Sequence, residues 1–409
     1  MPVTAHDVKY TLELLSHPDV LEVPPHDVES STVLDDATIQ VRFGSWNASK
    51  KFSSGYETVL PKHLLAHLDP KQYAQWDFWT RPVGNGPYRF ASYVPRTMMR
   101  LDANPDYYRG KRSIAHVVLK FARGAEIAEL MSGNVDVVVD ADVAQSAAHP
   151  AWRAYYGLNA LWDAWPSGIA WNSARAQLGD ARVRRAVTLA LNRPELARVL
   201  SLPDGVPAVD GPFTPRQLRR GELPEPLPYD PAQARALLDA AGWRQLGGNG
   251  VREREGRSFH FTLLVGGERA SSQMAVYLQE AWRRVGIRAD IETLDRNVLR
   301  RRVGDRQFDA CLSWPVLGKR WFGANSPLGY RNTQVSGLLE RLPLASDPAE
   351  NDDIHRQLTA IFRVDIPATF LFPRVATVFA SRRVHGLSSP WQADPIRFID
   401  ELSLDDGRL

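Results

Sequence analysis

From about residue 165 onward the sequence alternates between short apolar runs and amphipathic stretches, and this alternation strongly constrains the fold. The apolar runs at 259–265 and 287–294 have the length and composition of buried strands. Between them, residues 271–285 place apolar side chains at helical spacing and are followed by Gly286, a residue type that commonly closes helices. Because strands joined by helices usually pair in parallel, we predict an α/β fold built on a parallel sheet.

The N-terminal part of the chain has a different pattern. Thr4 and Asp7 have the spacing of a capping box, which predicts a helix that begins at Thr4. Residues 38–43 alternate strictly between apolar and polar side chains, as half-buried strands do. The apolar runs at 116–121 and 135–139 are predicted to be buried strands.

The composition excludes several classes of protein. Cys311 is the single cysteine, so an internal disulfide and a cysteine-based zinc cluster are excluded. The net charge is only +3 and the arginines are spread along the chain, so we expect no nucleic-acid partner. The sequence has no zinc-protease, phosphate-loop or serine-hydrolase motif. We therefore expect neither an enzyme nor a bound metal or cofactor.

Seven short motifs occur in a fixed order along nearly the whole chain. They include Pro-Val-Thr-Ala-His-Asp-Val near the start, Pro-Val-Gly-Asn-Gly-Pro-Tyr, and Asn-Pro-Asp-Tyr-Tyr-Arg-Gly. In this order they resemble the family 5 extracellular solute-binding proteins, the peptide- and nickel-binding components of bacterial ABC importers. The seven motifs lie at 2–8, 82–88, 104–110, 132–136, 180–186, 229–243 and 308–314.

The resemblance implies a two-lobed, type II periplasmic-binding-protein-like clamp that closes on its ligand, with part of lobe I missing. By this analogy residues 1–160 are the remaining part of lobe I, residues 161–375 form lobe II, and residues 376–409 return to lobe I. The remnant of the smaller subdomain of lobe I covers about 1–70, and the main subdomain covers about 71–160. Closure of such a clamp buries the ligand and is stabilised by ligand contacts.

The function that the resemblance implies is the capture of a peptide or other small solute for delivery to a membrane ABC permease. Such a protein is expected to be a monomer in the periplasm or at the cell surface, although the given residues contain no signal peptide. Two alternatives remain open at this point. In the first, the chain is a ligand-sensing module of a cytoplasmic transcriptional regulator, and in the second it is a truncated copy that has lost its function.

Two departures from the family pattern affect this interpretation. The family has a long block before the first motif, which includes the first strands of lobe I, and a sheet without those strands would expose backbone and apolar surface. Peptide-binding members also place an aspartate a few residues after the tryptophan matched by Trp314, where it binds the peptide ammonium. Leu317 stands at or near that position here. An anionic or non-peptide ligand is therefore a second hypothesis.

The expected ligand-binding residues cluster around the ends of predicted strands. Aromatic side chains suit a cleft that closes on a ligand because they bury a large area with few rotatable bonds. Arg302 matches by spacing an arginine that peptide binders place near the ligand, and Asn172 matches a hinge position. The full expected set is Trp314, Ser313, Arg302, Trp171, Asn172, Lys319 and Arg320.

Overall fold

The structure is a computed structural model that divides the chain into two compact units. Unit 1 comprises Met1–Ala141, Ala151–Leu158 and Val378–Leu409, and unit 2 comprises Asp142–Pro150 and Asn159–Thr377. The residues that the structure describes are 2–20, 28–43, 59–121, 125–139, 155–161, 166–202, 206–213, 225–245, 250–313, 319–323, 325–345, 347–373, 375–387 and 399–405.

The described part of unit 1 contains three short α-helices and several small antiparallel sheets. Its helices are α1 (Ala5–Leu15), α2 (Lys62–Leu65) and α3 (Glu126–Met131). Its first strands are β1 (Val28–Asp35), β2 (Thr38–Phe43), β3 (Tyr88–Val94), β4 (Met98–Ala103), β5 (His116–Lys120) and β6 (Val137–Val139). The strand β7 (Tyr155–Leu161) follows, and the chain then enters unit 2.

The capping box predicted at the start of α1 is present. The backbone N–H of Thr4 donates to the Asp7 carboxylate at 2.9 Å, and the Thr4 hydroxyl donates to it at 3.0 Å. The other oxygen of Asp7 accepts from the backbone N–H of Lys62 at 2.9 Å. Burial raises the pKa of Asp7, but these hydrogen bonds outweigh burial and hold the pKa below its ordinary value. Asp7 therefore fastens α1 to α2 as well as capping its own helix.

The small sheets of unit 1 pair in the orders β1-β2 and β3-β4-β5, both antiparallel. The prediction of a half-buried strand at 38–43 is confirmed by β2. The prediction that β5 is buried is wrong, since its residues alternate between exposed and half-buried, and Val118 is 48% exposed. One face of β5 is uncovered among the described residues, which local sequence does not reveal.

Unit 2 is built on a five-stranded sheet with the order β13-β12-β14-β8-β15. The described strands of the whole unit, in chain order, are β8 (Gly168–Trp171), β9 (Arg244–Gln245), β10 (Arg252–Arg254), β11 (Arg257–Ser258), β12 (His260–Gly266), β13 (Arg288–Leu294), β14 (Ala310–Ser313) and β15 (Ala368–Phe370). The strand β16 (Val375–Ser381) leads back to unit 1, where β17 (Val384–His385) and β18 (Ser403–Leu404) pair. The short strands β9, β10 and β11 form a separate sheet.

The main sheet of unit 2 is mixed, not wholly parallel as predicted. β12 pairs in parallel with β13 and β14, and the helical connections between these strands explain the orientation. β8 is antiparallel to both β14 and β15. A strand that enters the sheet before the first strand–helix unit is not bound by the crossover rule, so its direction depends on distant pairing.

Eight helices surround this sheet in the described part of unit 2. They are α4 (Ala181–Leu189), α5 (Arg193–Val199), α6 (Pro231–Ala240), α7 (Arg269–Arg283), α8 (Arg296–Gly304), α9 (Lys319–Phe322), α10 (Thr333–Arg341) and α11 (Pro348–Asp365). Asp180 and Asp230 cap α4 and α6 as their positions predicted. None of the helices in the described ranges combines the length and the apolar character needed to cross a bilayer.

Candidate functional site

Three parallel strands of unit 2 end at the same edge of its sheet, which we name the carboxyl edge. β12 ends at Gly266, β13 ends at Leu294 and β14 ends at Ser313. The register pairs Gly266 with Leu294, so these two ends lie side by side. In open α/β sheets, ligands bind outside the carboxyl ends of the strands. The carboxyl edge is therefore the candidate functional site of unit 2.

Two charged side chains, Glu268 and Arg296, follow the strand ends at the carboxyl edge. They form an ion pair at 3.2 Å, and both are largely exposed. A Cβ atom added at Gly266 would collide with the carboxylate of Glu268, so glycine lets this side chain lie against the strand end. The sequence interpretation missed both residues, although each lies just after a predicted strand. Together they offer one anionic and one cationic group to a polar ligand.

The carboxyl edge also includes a set of hydrogen bonds that join the start of β8 to the end of β15. The backbone N–H of Ser167 donates to the carbonyl of Phe372 at 2.7 Å, and the N–H of Leu371 donates to the carbonyl of Ser167 at 2.8 Å. The Ser167 hydroxyl is 3.1 Å from the Phe372 carbonyl. All three residues are buried. These bonds give the edge a fixed backbone on which a ligand contact can be positioned.

Trp171 lies at the opposite end of the sheet, which we name the amino edge. Register pairs Trp171 with Ala310 at the start of β14, whereas Ser313 at the end of β14 pairs with Gly168. The indole of Trp171 is fully buried, and its Nε1 donates to the Thr369 hydroxyl at 2.9 Å. The sequence interpretation put Trp171 among the ligand-binding residues, but the structure places its side chain in the core of unit 2.

The rings around Trp171 explain why this position is tightly packed. Phe261 and Trp282 meet the indole edge-on, with ring centroids 5.9 Å and 5.8 Å away. The Nε1 of Trp282 donates to the carbonyl of Val187 at 3.0 Å, so the N–H of this second indole also has a hydrogen-bond partner. Edge-to-face pairs stabilise a core beyond the area that they bury. The cluster anchors α4 and α7 to the sheet.

Asn172 has all the polar atoms of its side chain engaged at the amino edge. Its amide nitrogen donates to the carbonyl of Phe308 at 2.7 Å and lies 3.4 Å from the carbonyl of Arg306. Its amide oxygen accepts from the N–H of Ala174 at 3.1 Å. Asn172 is 2% exposed. The side chain therefore holds the turn before β14 against the end of β8.

The buried guanidinium of Arg184 fastens the chain just before β15. It donates to the backbone carbonyls of Leu178 at 2.8 Å, Ile366 at 2.9 Å and Asp365 at 2.6 Å. Burial lowers the pKa of Arg184, and the nearby charge of Asp365 opposes that shift. Because carbonyl oxygens satisfy its donors, this arginine stabilises the fold and has no evident role toward a solute.

Arg302 lies near the end of α8 and is paired within unit 2. Its guanidinium forms an ion pair with Glu292 of β13 at 2.5 Å and donates to the carbonyl of Gln307 at 3.3 Å. About a third of its side chain is exposed. Gln307 precedes β14, so these bonds fix Arg302 beside the sheet.

The remaining expected ligand residues lie at or after the end of β14. Trp314 and Leu317 fall in 314–318, outside the described residues. Ser313 ends β14 at the carboxyl edge, and Lys319 and Arg320 begin α9. The described structure thus places Ser313 at one edge of the sheet and Trp171 with Asn172 at the other, so it does not bring the predicted set together.

Comparison with known proteins gives one family match over most of the chain. A model of the family described as bacterial extracellular solute-binding proteins, family 5 Middle, matches residues 1–331. The oligopeptide-binding protein AppA of Bacillus subtilis is 24% identical over 337 residues, which cover 77% of this chain and 61% of the relative. The chain thus spans about three fifths of the length of this curated relative.

Solved structures share the fold over nearly the whole chain. The structure of AppA from Bacillus subtilis in complex with a nonapeptide aligns with a TM-score of 0.79 and 21% identity, covering 98% of this chain and 84% of that one. The structure of NikZ from Campylobacter jejuni in complex with Ni(L-His) aligns with a TM-score of 0.81 and 18% identity, over the same shares of the two chains. At such identities the likeness establishes the fold alone.

Proposed function

The chain belongs to family 5 of the bacterial extracellular solute-binding proteins, and we propose that it is the substrate-binding component of an ABC importer. In this role it captures a peptide or another small solute and passes it unchanged to a membrane permease. The observation that carries the proposal is the family match over residues 1–331. We place the protein in the periplasm or at the cell surface, where it acts as a monomer.

Two ligand classes are the first to test. The solved relatives hold a nonapeptide and a nickel–histidine complex. A peptide offers main-chain hydrogen-bonding groups along its length, whereas a nickel–histidine complex is compact and carries the charge of its metal. A polar site on a fixed sheet edge can bind either ligand. The measured affinities for the two ligands therefore decide between them.

We place the ligand site at the carboxyl edge of the unit 2 sheet, on and after Ser313. In this proposal Trp314 supplies a flat apolar surface, and Lys319 and Arg320 supply positive charge. Ser313 lies at the end of β14, a strand paired on both sides. A site on a paired strand end is positioned more firmly than one on a free loop. Arg302, Trp171 and Asn172 support the site from the rest of the sheet.

The residue Leu317 bears on the choice of ligand. A leucine cannot bind a peptide ammonium, and the loss of one member of a buried charge pair costs about 2–5 kcal/mol. That cost corresponds to roughly 30- to 4,000-fold in affinity. Lys319 and Arg320 also favour a negative group. We therefore propose a ligand whose binding does not depend on a free ammonium and which carries at least one carboxylate.

The test is isothermal titration of the purified chain with a nonapeptide in its free-amine form and in its N-acetylated form. We expect the two forms to bind within about threefold of each other, since no charge partner for the ammonium is lost. The variant Leu317→Asp should restore a preference of at least about tenfold for the free amine. A titration with nickel and histidine, separately and together, tests the second ligand class.

Two single substitutions of tryptophan test the position of the site. One removes a residue of the proposed site, and the other is its control. Trp314→Ala should weaken binding by at least about tenfold, because an aromatic contact in a closed site is lost. Trp79→Ala removes a partly exposed indole from unit 1 and should leave affinity within about twofold. If neither the peptide nor the nickel–histidine complex binds saturably, the result counts against the proposed function. Nanomolar binding that requires the free amine would overturn only the proposed ligand chemistry.

A further inference from the structure

A pocket of about 580 Å³ lies within unit 2, at the junction of the C-terminal end of α7 and the start of β13. Its lining continues onto Gly250 and onto Arg235 of α6. β13 starts at the amino edge of the sheet, because its first residue, Arg288, pairs with His260 at the start of β12. The pocket therefore lies at the opposite end of β13 from the carboxyl edge, where we place the solute. Its volume falls in the range of about 300–1,000 Å³ that small-molecule sites have.

Arginines that are spread along the sequence come together in this pocket, which we name the arginine pocket. They come from α6, from the C-terminal end of α7 and from the start of β13. The arginines of the lining are Arg235, Arg283, Arg284 and Arg288, and its carboxylates are Glu280 and Asp290. The lining thus has an excess of two positive charges. A concave surface with such an excess attracts anions.

The two carboxylates neutralise only part of this charge. Glu280 is shared between two guanidinium groups, since it bonds Arg283 at 2.7 Å and Arg284 at 3.2 Å. Asp290 lies 3.2 Å from Arg288. The side chains of these three arginines are 50–72% exposed. Each guanidinium has more N–H donors than its carboxylate partner occupies, so donors remain open to a ligand.

Arg235 is exposed and has no ion-pair partner among the described residues. Asp239 lies four residues further along α6, at the spacing of a helical ion pair. Its carboxylate instead bonds the buried guanidinium of Arg252 at 2.5 Å. Because Arg252 occupies the local partner of Arg235, the charge of Arg235 is available to an external anion.

Carbonyl oxygens at the end of α7 are hydrogen-bonded within the protein. A helix C-terminus carries partial negative charge on carbonyl oxygens that lack partners, and this charge repels anions. Here the carbonyl of Trp282 accepts from the N–H groups of Val285 at 3.1 Å and Ile287 at 3.0 Å. The carbonyls of Val285 and Gly286 accept from the Nε and the backbone N–H of Arg252, each at 2.8 Å. The negative end of the helix is thus compensated, and the arginines dominate the charge of the pocket.

We propose that the arginine pocket binds a diphosphate group, whether a soluble molecule or a lipid headgroup carries it. Guanidinium groups bind phosphate through paired N–H donors. A phosphate group presents oxygens in tetrahedral directions and accepts from guanidinium groups on several sides, whereas a carboxylate has its oxygens in one plane. Two linked phosphate groups also match the excess of positive charge. This role is independent of the solute that the carboxyl edge takes.

The experiment is isothermal titration of the full chain with inorganic diphosphate. We expect saturable binding at one site per chain. Malonate, which has two carboxylates in place of two phosphate groups, should bind at least about tenfold more weakly. Sedimentation with phosphatidylcholine vesicles that contain a minor share of diacylglycerol diphosphate tests the lipid source. Binding of inorganic diphosphate alone assigns a soluble carrier, and cosedimentation with these vesicles but not with pure phosphatidylcholine assigns a lipid.

Two exposed arginines form a matched pair of test and control. Arg283 and Arg356 each pair with a carboxylate three residues earlier on their own helix, and their side chains are 72% and 70% exposed. Only Arg283 lines the pocket. Arg283→Gln should weaken diphosphate binding at least about tenfold, whereas Arg356→Gln should leave it within about twofold. Arg235→Lys keeps the charge but loses the planar fork of donors, and should weaken binding at least about threefold.

Three results would overturn the proposal. The first is that a folded chain binds neither inorganic diphosphate nor the diphosphate vesicles. The second is equal weakening by Arg283→Gln and Arg356→Gln, which would make the net charge of the chain the cause of binding. The third is that malonate binds as tightly as diphosphate. The diphosphate titration needs no solute, so its outcome is separate from that of the nonapeptide titration.

Discussion

Trp171 shows at the scale of one residue how unit 2 is held together. Its buried Nε1 bonds the Thr369 hydroxyl, and that hydroxyl lies 2.6 Å from the hydroxyl of Thr188. The Thr188 hydroxyl lies 2.9 Å from the carbonyl of Arg184. One indole thus connects β8, β15 and α4 through a short chain of hydrogen bonds. Such a buried network is costly to interrupt because each polar atom in it depends on the next.

The first prediction concerns the cost of removing this indole. Trp171→Ala should lower the free energy of unfolding by about 3–5 kcal/mol, as expected for a large buried aromatic side chain. Trp171→Phe should cost less but still about 1–3 kcal/mol, because a buried hydroxyl loses its partner. Urea denaturation followed by far-UV circular dichroism measures both. The control Trp79→Ala removes an indole that is 39% exposed and should cost about 1 kcal/mol.

The same variants show whether Trp171 also contacts the solute. Under folding conditions, Trp171→Phe should keep ligand affinity within about threefold, since its ring lies in the core at the amino edge. A tenfold loss of affinity at unchanged stability would contradict this placement. Sequence reasoning identified Trp171 as a strand-end aromatic residue correctly. It could not tell which end of the sheet the residue occupies, because the direction of β8 depends on pairing with residues more than 100 positions away.

The turn between α8 and β14 shows how a single backbone conformation ends one element and begins the next. Arg306 adopts a left-handed backbone conformation with φ of 59°, which glycine adopts readily and other residues adopt at a cost. The N–H of Gln307 donates to the carbonyl of Arg302 at 2.8 Å, and the N–H of Arg306 donates to that of Val303 at 3.1 Å. These bonds close the helix and direct the chain into β14. The Arg306 side chain itself is exposed.

The second prediction follows from the backbone of Arg306. Arg306→Gly should raise the free energy of unfolding by about 0.5–1 kcal/mol, because the left-handed conformation no longer crowds a Cβ atom. Arg306→Ala keeps that atom and should change stability by less than about 0.5 kcal/mol. Urea denaturation of the two variants against the parent chain measures the difference. Equal stability of the glycine and alanine variants would show that the turn is not strained.

Elements differ in how far local sequence predicts them. The capping box of α1 was predictable because Thr4 and Asp7 lie three residues apart and bond each other. The strands and helices between residues 259 and 313 were predictable for the same reason, since periodicity and closing glycines are local signals. The exposure of Val118 was not predictable. It depends on what covers the face of the sheet that carries Val118, and nothing within a few residues of Val118 encodes that.

At the scale of the whole chain, the two units differ in the size of their apolar cores. Unit 2 has two large clusters, one on each side of its sheet, which include Trp171 and Leu264. In the described part of unit 1 the clusters are small. One surrounds Val378 and the other surrounds Trp76. Since buried apolar area is the main favourable term in folding, unit 1 is expected to be the less stable unit.

The third prediction is that the chain unfolds in two steps. Domains with separate cores unfold as separate units, so urea should first unfold unit 1 and then unit 2. Hydrogen exchange followed by mass spectrometry resolves the two, with the slowest exchange in β12 and β14 at the centre of the unit 2 sheet. A single transition that both units share would contradict separate cores.

Two core substitutions show which unit unfolds in each step. Val378→Ala removes apolar volume from the unit 1 cluster and should lower the stability of the first step by about 2 kcal/mol, leaving the second step unchanged. Leu264→Ala lies in the fully buried centre of unit 2 and should lower only the second step, by about 2–5 kcal/mol. A shift of both steps by either variant would show that the stabilities of the two units are coupled.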